Sequence, residues 1–340
     1  MSQQVTIRQA NRVVAVPDGM SILEAALAAG IDYPFGCRGG VCGSCKSALV
    51  TGQVDLRGHQ EFALSPQEER QGLVLACCSY PRSDCELAWL DADEPVDFTY
   101  REVGGRVAAV DRVTHDIVVV KVLPDQLEPL EFAAGQYASV RFKDQPSRCY
   151  SFANRPGEKM LEFHVRAVPN GQVSQFVYRS LREGDPVEIG GPMGVAYLRR
   201  QAPGPAVFGA GGSGLAPILS MLRVLAHEKS TRELQVFFGV RSERDLYAQT
   251  ELRDVVAALP HCRVTSVLSD PQGPTVHRTG FLADAMRSDL GDCKGSKSYL
   301  CGPPVMVDTC RAVLLDKRVS PADCHVDIFW TAPAVPVPAN

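Results

Sequence analysis

The sequence has no apolar run close to the roughly 18 consecutive residues that a bilayer-spanning helix needs. Its first residues, Met-Ser-Gln-Gln-Val-Thr-Ile-Arg, lack the basic-then-apolar plan of a secretion signal and read as a strand. No self-similarity recurs at periods of roughly 20–50 residues, which excludes solenoids and propellers. There is no surplus of basic charge either: the net charge is −4, which argues against nucleic acid. Neither membrane spanning nor export is expected, so the chain is placed in the cytoplasm. Hydrophobic residues at 45% and charged residues at 22% exclude disorder and fibrous structure. The 340 residues predict two or three domains of about 100–200 residues each.

The charge is unevenly placed. Residues 1–97 hold 7 Lys and Arg against 13 Asp and Glu, while the remainder holds 28 against 26. An acidic front end suits a partner with a basic face, with Glu61, Glu68 and Glu69 as docking candidates, although solvated surface charge explains it as simply.

Cysteine is plentiful, with twelve in all and five of them between Cys37 and Cys78. In a reducing compartment such residues are metal ligands or reactive groups more often than disulfides. The run Cys37-Arg-Gly-Gly-Val-Cys42-Gly-Ser-Cys45, followed by Cys77 after 31 intervening residues, has the plant-type 2Fe–2S spacing. Gly39, Gly40 and Gly43 let the chain turn tightly and aim backbone N–H groups at anionic sulfurs. Structural zinc competes, but it usually takes two short-spaced pairs, and no second Cys-x2-Cys pair exists. The metal ligands are therefore read as Cys37, Cys42, Cys45 and Cys77. Around them, Val5–Ile7 and Arg12–Val16 predict a hairpin, and Ser21-Ile22-Leu23-Glu24 predicts a capping box that opens a helix ending before Gly30. Residues 1–90 resemble plant-type ferredoxins, which implies a β-grasp fold. In the ferredoxin pattern that Leu75-Ala76-Cys77-Cys78 resembles, the first of the two cysteines ligates; Cys78 and Cys85 are then thiols outside the cluster.

Beyond the acidic stretch Asp91–Asp97, Val107–Val113, Ile117–Val122 and the segment after Phe132-Ala-Ala-Gly-Gln-Tyr137 predict a small antiparallel barrel. Within it stands Arg148-Cys149-Tyr150-Ser151, which alone could be an ordinary strand with a surface arginine. With the Gly-Gln-Tyr strand before it, the segment resembles the flavin signature of the ferredoxin–NADP reductase superfamily. The resemblance implies that Arg148 pairs with the flavin pyrophosphate, Tyr150 packs on the ring, and the Ser151 hydroxyl bonds near the reactive nitrogen. His164-Val165-Arg166 and Gly171-Gln172-Val173-Ser174 resemble the next flavin contacts, with Ser174 able to cap a helix from Gln175. His164 could equally be a satisfied sheet histidine.

A strand at Pro205–Phe208 is followed by Gly209-Ala-Gly211-Gly-Ser-Gly214 and an amphipathic helix, a glycine turn that can receive a pyrophosphate. The acidic ribose residue of a standard dinucleotide site is absent, with Gly239-Val240-Arg241 in its place. Arg241 and Arg244 leave an opening for a 2′-phosphate. The arrangement resembles the nicotinamide domain of the same superfamily, whose second half is matched by Cys301-Gly302-Pro303-Pro304, 87 positions after Gly214. That likeness places Cys301 beside the nicotinamide, although an inert buried thiol is the plain alternative. Cys149, Cys262, Cys293, Cys310 and Cys324 are read as packing. His325–Trp330 resembles the closing strand, whose aromatic, Phe329 first and Trp330 second, shields the flavin.

Taken in order over residues 1–330, the motifs resemble the reductase component of multi-component bacterial oxygenases. The fold class implied is multidomain α+β and α/β: a β-grasp ferredoxin domain (1–92), a linker (93–102), an antiparallel β-barrel flavin domain (103–200), a parallel-sheet α/β nicotinamide domain (201–330) and a proline-rich tail (331–340) that should be extended and mobile. The cofactors implied are FAD, a 2Fe-2S cluster and NADH, with catalytic places for Ser151, Cys301 and Phe329. FAD is expected over FMN because relatives with FMN carry the ferredoxin at the other end. The partner implied is a terminal oxygenase acting on an aromatic compound. A cytochrome P450 or a deoxysugar dehydrase as acceptor, or a redox sensor without turnover, are the alternatives.

Overall fold

The computed structural model describes residues 2–35, 38–40, 43–59, 63–64, 66–90, 96, 98 and 100–329. The 331–340 tail, Trp330, Val41 and most of the acidic stretch lie outside the described residues. The chain divides into two compact units, parted after residue 95.

In the first unit, β1 (Gln3–Ile7) and β2 (Arg12–Val16) pair antiparallel as the expected hairpin, with Val5 opposite Val14. Alternation puts Val5, Ile7, Val14 and Val16 inside. Helix α1 (Ile22–Ala28) follows the predicted capping box: the Glu24 N–H donates to Ser21 Oγ, and the Ser21 N–H donates to the Glu24 carboxylate. It stops one residue earlier than a run through Ala29, and Gly30 takes φ +68°. Then come β3 (Lys46–Thr51), β4 (Val54–Leu56), α2 (Pro66–Arg70), β5 (Leu73–Leu75), β6 (Ser79–Pro81) and β7 (Cys85–Trp89). The main sheet runs β2-β1-β7-β3-β5, with β1 and β7 parallel, and α1 buries Ile22, Leu23, Ala25 and Ala26 in the unit's core. This is a β-grasp fold.

The second unit opens with β8 (Arg101–Arg112), β9 (Ile117–Pro124), β10 (Tyr137–Phe142), β11 (Arg148–Ser151), β12 (Leu161–Arg166), α3 (Gln172–Arg179) and β13 (Pro186–Met193). These strands form one antiparallel sheet, β11-β10-β13-β8-β9-β12, whose two ends meet at a bridge between Phe152 and Phe163. The result is a nearly closed barrel, filled by Val118, Val120, Val122, Phe142, Phe152 and Phe163. Helix α3 begins at Gln172 rather than Gln175, so Ser174 sits inside the first turn and does not cap it.

A parallel layer follows: β14 (Ala206–Gly211), α4 (Leu215–His227), β15 (Leu234–Val240), α5 (Gln249–Ala257), β16 (Cys262–Leu268), β17 (Arg278–Thr279), α6 (Leu282–Asp289), β18 (Lys297–Gly302), α7 (Pro304–Asp316) and β19 (Cys324–Ile328). The order is β17-β16-β15-β14-β18-β19. Every residue of β14 is buried, as a strand covered on both faces requires. The order reverses between β14 and β18, and in open α/β sheets ligands enter at such a switch point, outside the strands' carboxyl ends. Gly211 and Gly302 stand at those two ends.

Losing the reciprocal cap should loosen only the first unit. Ser21→Ala is expected to cost about 1 kcal/mol, read as a lower denaturation midpoint for that unit with the second unit's transition unmoved.

Candidate functional site

The described part of the metal loop fits a thiolate cluster. Cys45 and Cys77 are buried, and the Cys77 N–H donates to Cys45 Sγ at 3.5 Å. Hydrogen bonds from the Cys45 and Cys78 thiols hold Cys77 well below the ordinary thiol range, against the opposing effect of burial. An anionic sulfur at neutral pH is what an iron ligand requires. Cys37 and Cys42 lie outside the described residues. Gly40 has φ +70°, and a Cβ there would stand 2.6 Å from Cys78 Sγ and 2.8 Å from His59 Cα, so only glycine closes this turn. Cys78 Sγ lies 3.6 Å from Cys77 Sγ. Cys85 is turned elsewhere, its thiol donating to the Ser83 carbonyl.

Two of the three docking glutamates are already engaged. Glu68 pairs with Lys46 at 2.8 Å and Glu69 with His59 at 2.8 Å, while Glu61 lies outside the described residues. The acidity of this segment is therefore partly neutralised from within, which the charge count could not show.

In the second unit, β11 meets the carboxyl ends of β18 and β19. Ser151 Oγ donates to Asp327 Oδ2 at 3.0 Å. Asp327 is in register with Cys301 on the neighbouring parallel strand. Cys301 is 1% exposed, and burial raises its thiol well above the ordinary range, so it remains a neutral S–H. Phe329 continues past β19, its N–H donating to the Gly302 carbonyl at 2.8 Å. The Ser151 hydroxyl and the Asp327 carboxylate thus meet, with the neutral Cys301 thiol in register beside Asp327 on the next strand. Asp327 was missed by sequence reasoning, although it lies within the closing segment, two residues before Phe329.

Arg148 and Tyr150 share a face of the edge strand β11, both partly exposed, and Arg148 donates to the neighbouring Ser147 carbonyl. Cys149, read as packing, is exposed instead: alternation along β11 turns it to the opposite face from Arg148 and Tyr150. Gly171 is required locally, since a Cβ would lie 2.4 Å from Val168 Cγ2. Ser174 Oγ accepts the Val168 N–H and donates to the Gly171 carbonyl, tying this turn closed. Val165 is fully buried in the barrel core. The His164 ring lies 2.9 Å from Tyr247 Oη at Nδ1 and 3.3 Å from Glu162 Oε1 at Nε2, so it is the satisfied sheet histidine.

The glycines of the nicotinamide motif divide by role. Gly209 lies inside β14, where a Cβ would stand 2.6 Å from Leu300 Cδ2; it serves packing rather than a phosphate. At Gly214 a Cβ would meet the Cys301 carbonyl oxygen at 2.1 Å, and at Gly302 it would meet Gly211 Cα at 3.1 Å. The two glycine segments, 87 positions apart from Gly214 to Cys301, are therefore in backbone contact. Between them opens a cleft of about 240 Å³, lined by Gly211, Gly212, Pro303, Arg166, Arg241 and Phe281 among others. Its position beyond the carboxyl ends of β14 and β18, at a turn leading into a 13-residue helix, suits a dinucleotide.

Comparison with known proteins agrees along the whole chain. Residues 5–82 match the family of 2Fe-2S iron-sulfur cluster binding domains. Residues 105–197 match oxidoreductase FAD-binding domains, and residues 208–312 match oxidoreductase NAD-binding domains. A relative from Pseudomonas putida, the naphthalene 1,2-dioxygenase system ferredoxin–NAD(P)(+) reductase component, is 34% identical over 327 residues, covering 96% of this chain and 98% of the relative. The chain belongs to this family of oxygenase reductase components. The phenol hydroxylase P5 protein of Acinetobacter pittii is 35% identical, covering 98% of this chain and 96% of its own. Among solved structures, an Amycolatopsis cytochrome P450 reductase superposes with a TM-score of 0.78 at 34% identity, covering 96% of this chain and 98% of that one. The reductase is thus an oxidoreductase with domains for FAD, NAD and a 2Fe-2S cluster. Among the described residues, no helix is long and apolar enough to cross a membrane.

Backbone contact at Gly214 leaves no room for a methyl group. Gly214→Ala should slow NADH-driven flavin reduction roughly 100-fold, the order expected for a displacement of about 1 Å. Gly273→Ala, where a Cβ would have nothing within 4 Å, should leave the rate unchanged in the same stopped-flow measurement.

Proposed function

We propose that this reductase takes a hydride from NADH and delivers single electrons to a terminal oxygenase that acts on an aromatic compound. The observation that carries this reading is the meeting of barrel and sheet at Ser151, Asp327 and Cys301, beside the dinucleotide cleft. When bound, FAD supplies the conversion of a two-electron hydride into electrons that a 2Fe–2S cluster takes one at a time.

The chain's own residues bind, orient and keep out water. Arg148 offers a fork of donors to the flavin pyrophosphate, Tyr150 a ring face, and Gly171 and Ser174 the turn beside the phosphate. Ser151, held by Asp327, presents an oriented hydroxyl. Cys301 fills the space next to the reacting carbon without adding charge, because its thiol stays protonated, and Phe329 closes the flavin side. Gly211, Gly214, Gly302 and Pro303 shape the cleft for the dinucleotide. Cys37, Cys42, Cys45 and Cys77 hold the cluster. We place the domains at residues 1–92, 103–200 and 201–330, and the protein in the cytoplasm.

A cytochrome P450 as acceptor is the second reading, favoured by the likeness to the Amycolatopsis P450 reductase. Mixing NADH-reduced protein with a Rieske or diiron oxygenase and with a P450, and comparing second-order electron-transfer rates, separates the two. No transfer to either would sink the proposal.

Two outcomes follow from the site. Cys45→Ser and Cys77→Ser should each bleach cluster absorbance and stop delivery to the oxygenase while NADH-driven ferricyanide reduction continues. Cys78→Ser should keep both, and a bleached Cys78→Ser beside an intact Cys77→Ser would reverse the ligand assignment. For the dinucleotide, kcat/KM should be higher with NADH than with NADPH. Arg241 lines the cleft, so an equal or higher value with NADPH would mean that it serves a 2′-phosphate.

A further inference from the structure

Cys77 and Cys78 share one short 3-10 turn, Ala76–Cys78, between β5 and β6. The turn is pinned at both ends: the Ala76 N–H donates to the Cys45 carbonyl at 3.1 Å, and the Cys78 carbonyl accepts the Arg57 N–H at 2.9 Å. Consecutive side chains of a three-residue turn point about a third of a circle apart. Here the two sulfurs nevertheless stand 3.6 Å from each other, within reach of an S–H···S hydrogen bond. The pair is shut off from water, with Cys77 8% and Cys78 5% exposed. On its other side Cys78 Sγ lies against Gly40, where a Cβ would come within 2.6 Å, so the bare glycine of the metal loop leaves the sulfur its space.

Three other hydroxyl and thiol groups of this unit spend their protons on backbone carbonyls. Ser79 Oγ donates to Leu75 at 2.7 Å, Ser47 Oγ to Cys45 at 3.1 Å, and Cys85 Sγ to Ser83 at 3.1 Å. Cys78 faces a sulfur instead. A thiol can give or accept such a bond, but an iron ligand is a thiolate with no proton to give. With Cys77 ligating, Cys78 is therefore the donor.

We propose that Cys78 tunes the iron–sulfur cluster through Cys77: its S–H, held against the ligand sulfur, raises the potential at which this unit takes up an electron. The inference rests on the reading of Cys77 as a ligand. Hydrogen bonds to the sulfurs and exclusion of solvent are among the levers that set the potentials of such clusters. A donor favours the reduced state, in which the sulfurs carry more negative charge. Low local dielectric makes one S–H count for more here than it would in water. One electron enters and the proton stays on Cys78, so transfer from the flavin to the cluster becomes more favourable without an added charge.

The test is a redox titration of the FAD- and cluster-loaded protein, with the reduced cluster followed by its electron paramagnetic resonance. Cys78→Ala removes the donor. At a fixed potential the ratio of reduced to oxidised cluster should fall roughly tenfold, a downward shift of about 59 mV for a one-electron couple. Cys78→Ser keeps an O–H and should lie nearer wild type, and the flavin midpoints should not move in either variant. An unchanged cluster midpoint in Cys78→Ala would overturn the proposal. So would equal shifts in Cys78→Ala and Cys78→Ser, which would trace the effect to lost volume rather than to the donor. Should Cys78→Ala fail to hold a cluster, Cys78→Val fills the space without a donor and should titrate low. A wild-type midpoint there would overturn the proposal, and loss of the cluster from both would make Cys78 a ligand and overturn it too. An intact cluster in Cys77→Ser would instead count against Cys77 as a ligand, the reading on which the inference rests.

Discussion

A Cβ at Gly214 would meet the Cys301 carbonyl oxygen at 2.1 Å, and one at Gly302 would meet Gly211 Cα at 3.1 Å, so the two glycine segments lie tightly against each other. Much of the second unit depends on that contact. It lies where the paired strands β14 and β18 end at the switch point, beside the cleft lined by Gly211, Gly212 and Pro303. It also carries Cys301 to where β11 presents Ser151. Any side chain at Gly214 would have to push backbone rather than a flexible neighbour, so the constraint cannot be relaxed by repacking.

Barrel and sheet are joined by polar as well as apolar contacts. Ser220 Oγ donates to the Asn154 carbonyl at 2.7 Å, Arg223 reaches both the Ala153 carbonyl and Glu162, and the Tyr299 hydroxyl accepts the Arg199 N–H at 2.8 Å. Burial by itself would raise the Glu162 carboxyl, but His164 and Arg223 pull it down to about 2. Its ionised form is thus favoured by folding. The stability this gives is complete above the unfolded carboxylate value and is lost as pH falls through about 2. Such buried, fully bonded groups add less to stability than an apolar contact of the same area would, but they admit only one relative placement of the two layers.

Much of this was legible in the residues. Cysteine spacing, the capping box at Ser21, and the order of strand, glycine turn and helix are local patterns, and local patterns survive reading without coordinates. What stayed hidden was pairwise and distant. Asp327 becomes a partner only when β19 lies beside β18 and faces a serine 176 residues earlier. Gly209 and Gly211 look alike in the motif, yet one packs on Leu300 and the other lines the cleft. Ser174 has the composition of a cap, but the helix starts two residues before it, and the hydroxyl closes the preceding turn instead. A charge count cannot show that Glu68 is already paired with Lys46 and that Glu69 is already hydrogen-bonded to His59.

Hydride transfer is intolerant of distance, and the proposed site is framed by fixed contacts between the barrel and the parallel layer. On one side Ser151 is fixed by Asp327, a residue of the opposite layer, so the hydroxyl cannot rotate away without breaking a charge-assisted hydrogen bond. On the other, Tyr247 ties the Gly212 carbonyl to His164 of the barrel, so the glycine turn between β14 and α4 is referenced to the barrel sheet. Between them stands Cys301, small, buried and uncharged. A charged group in that position would repel or attract the cationic ring formed when a nicotinamide gives up hydride, and would bias the step in one direction. A neutral thiol adds no charge there, while the Asp327 carboxylate one strand away is held by the Ser151 hydroxyl.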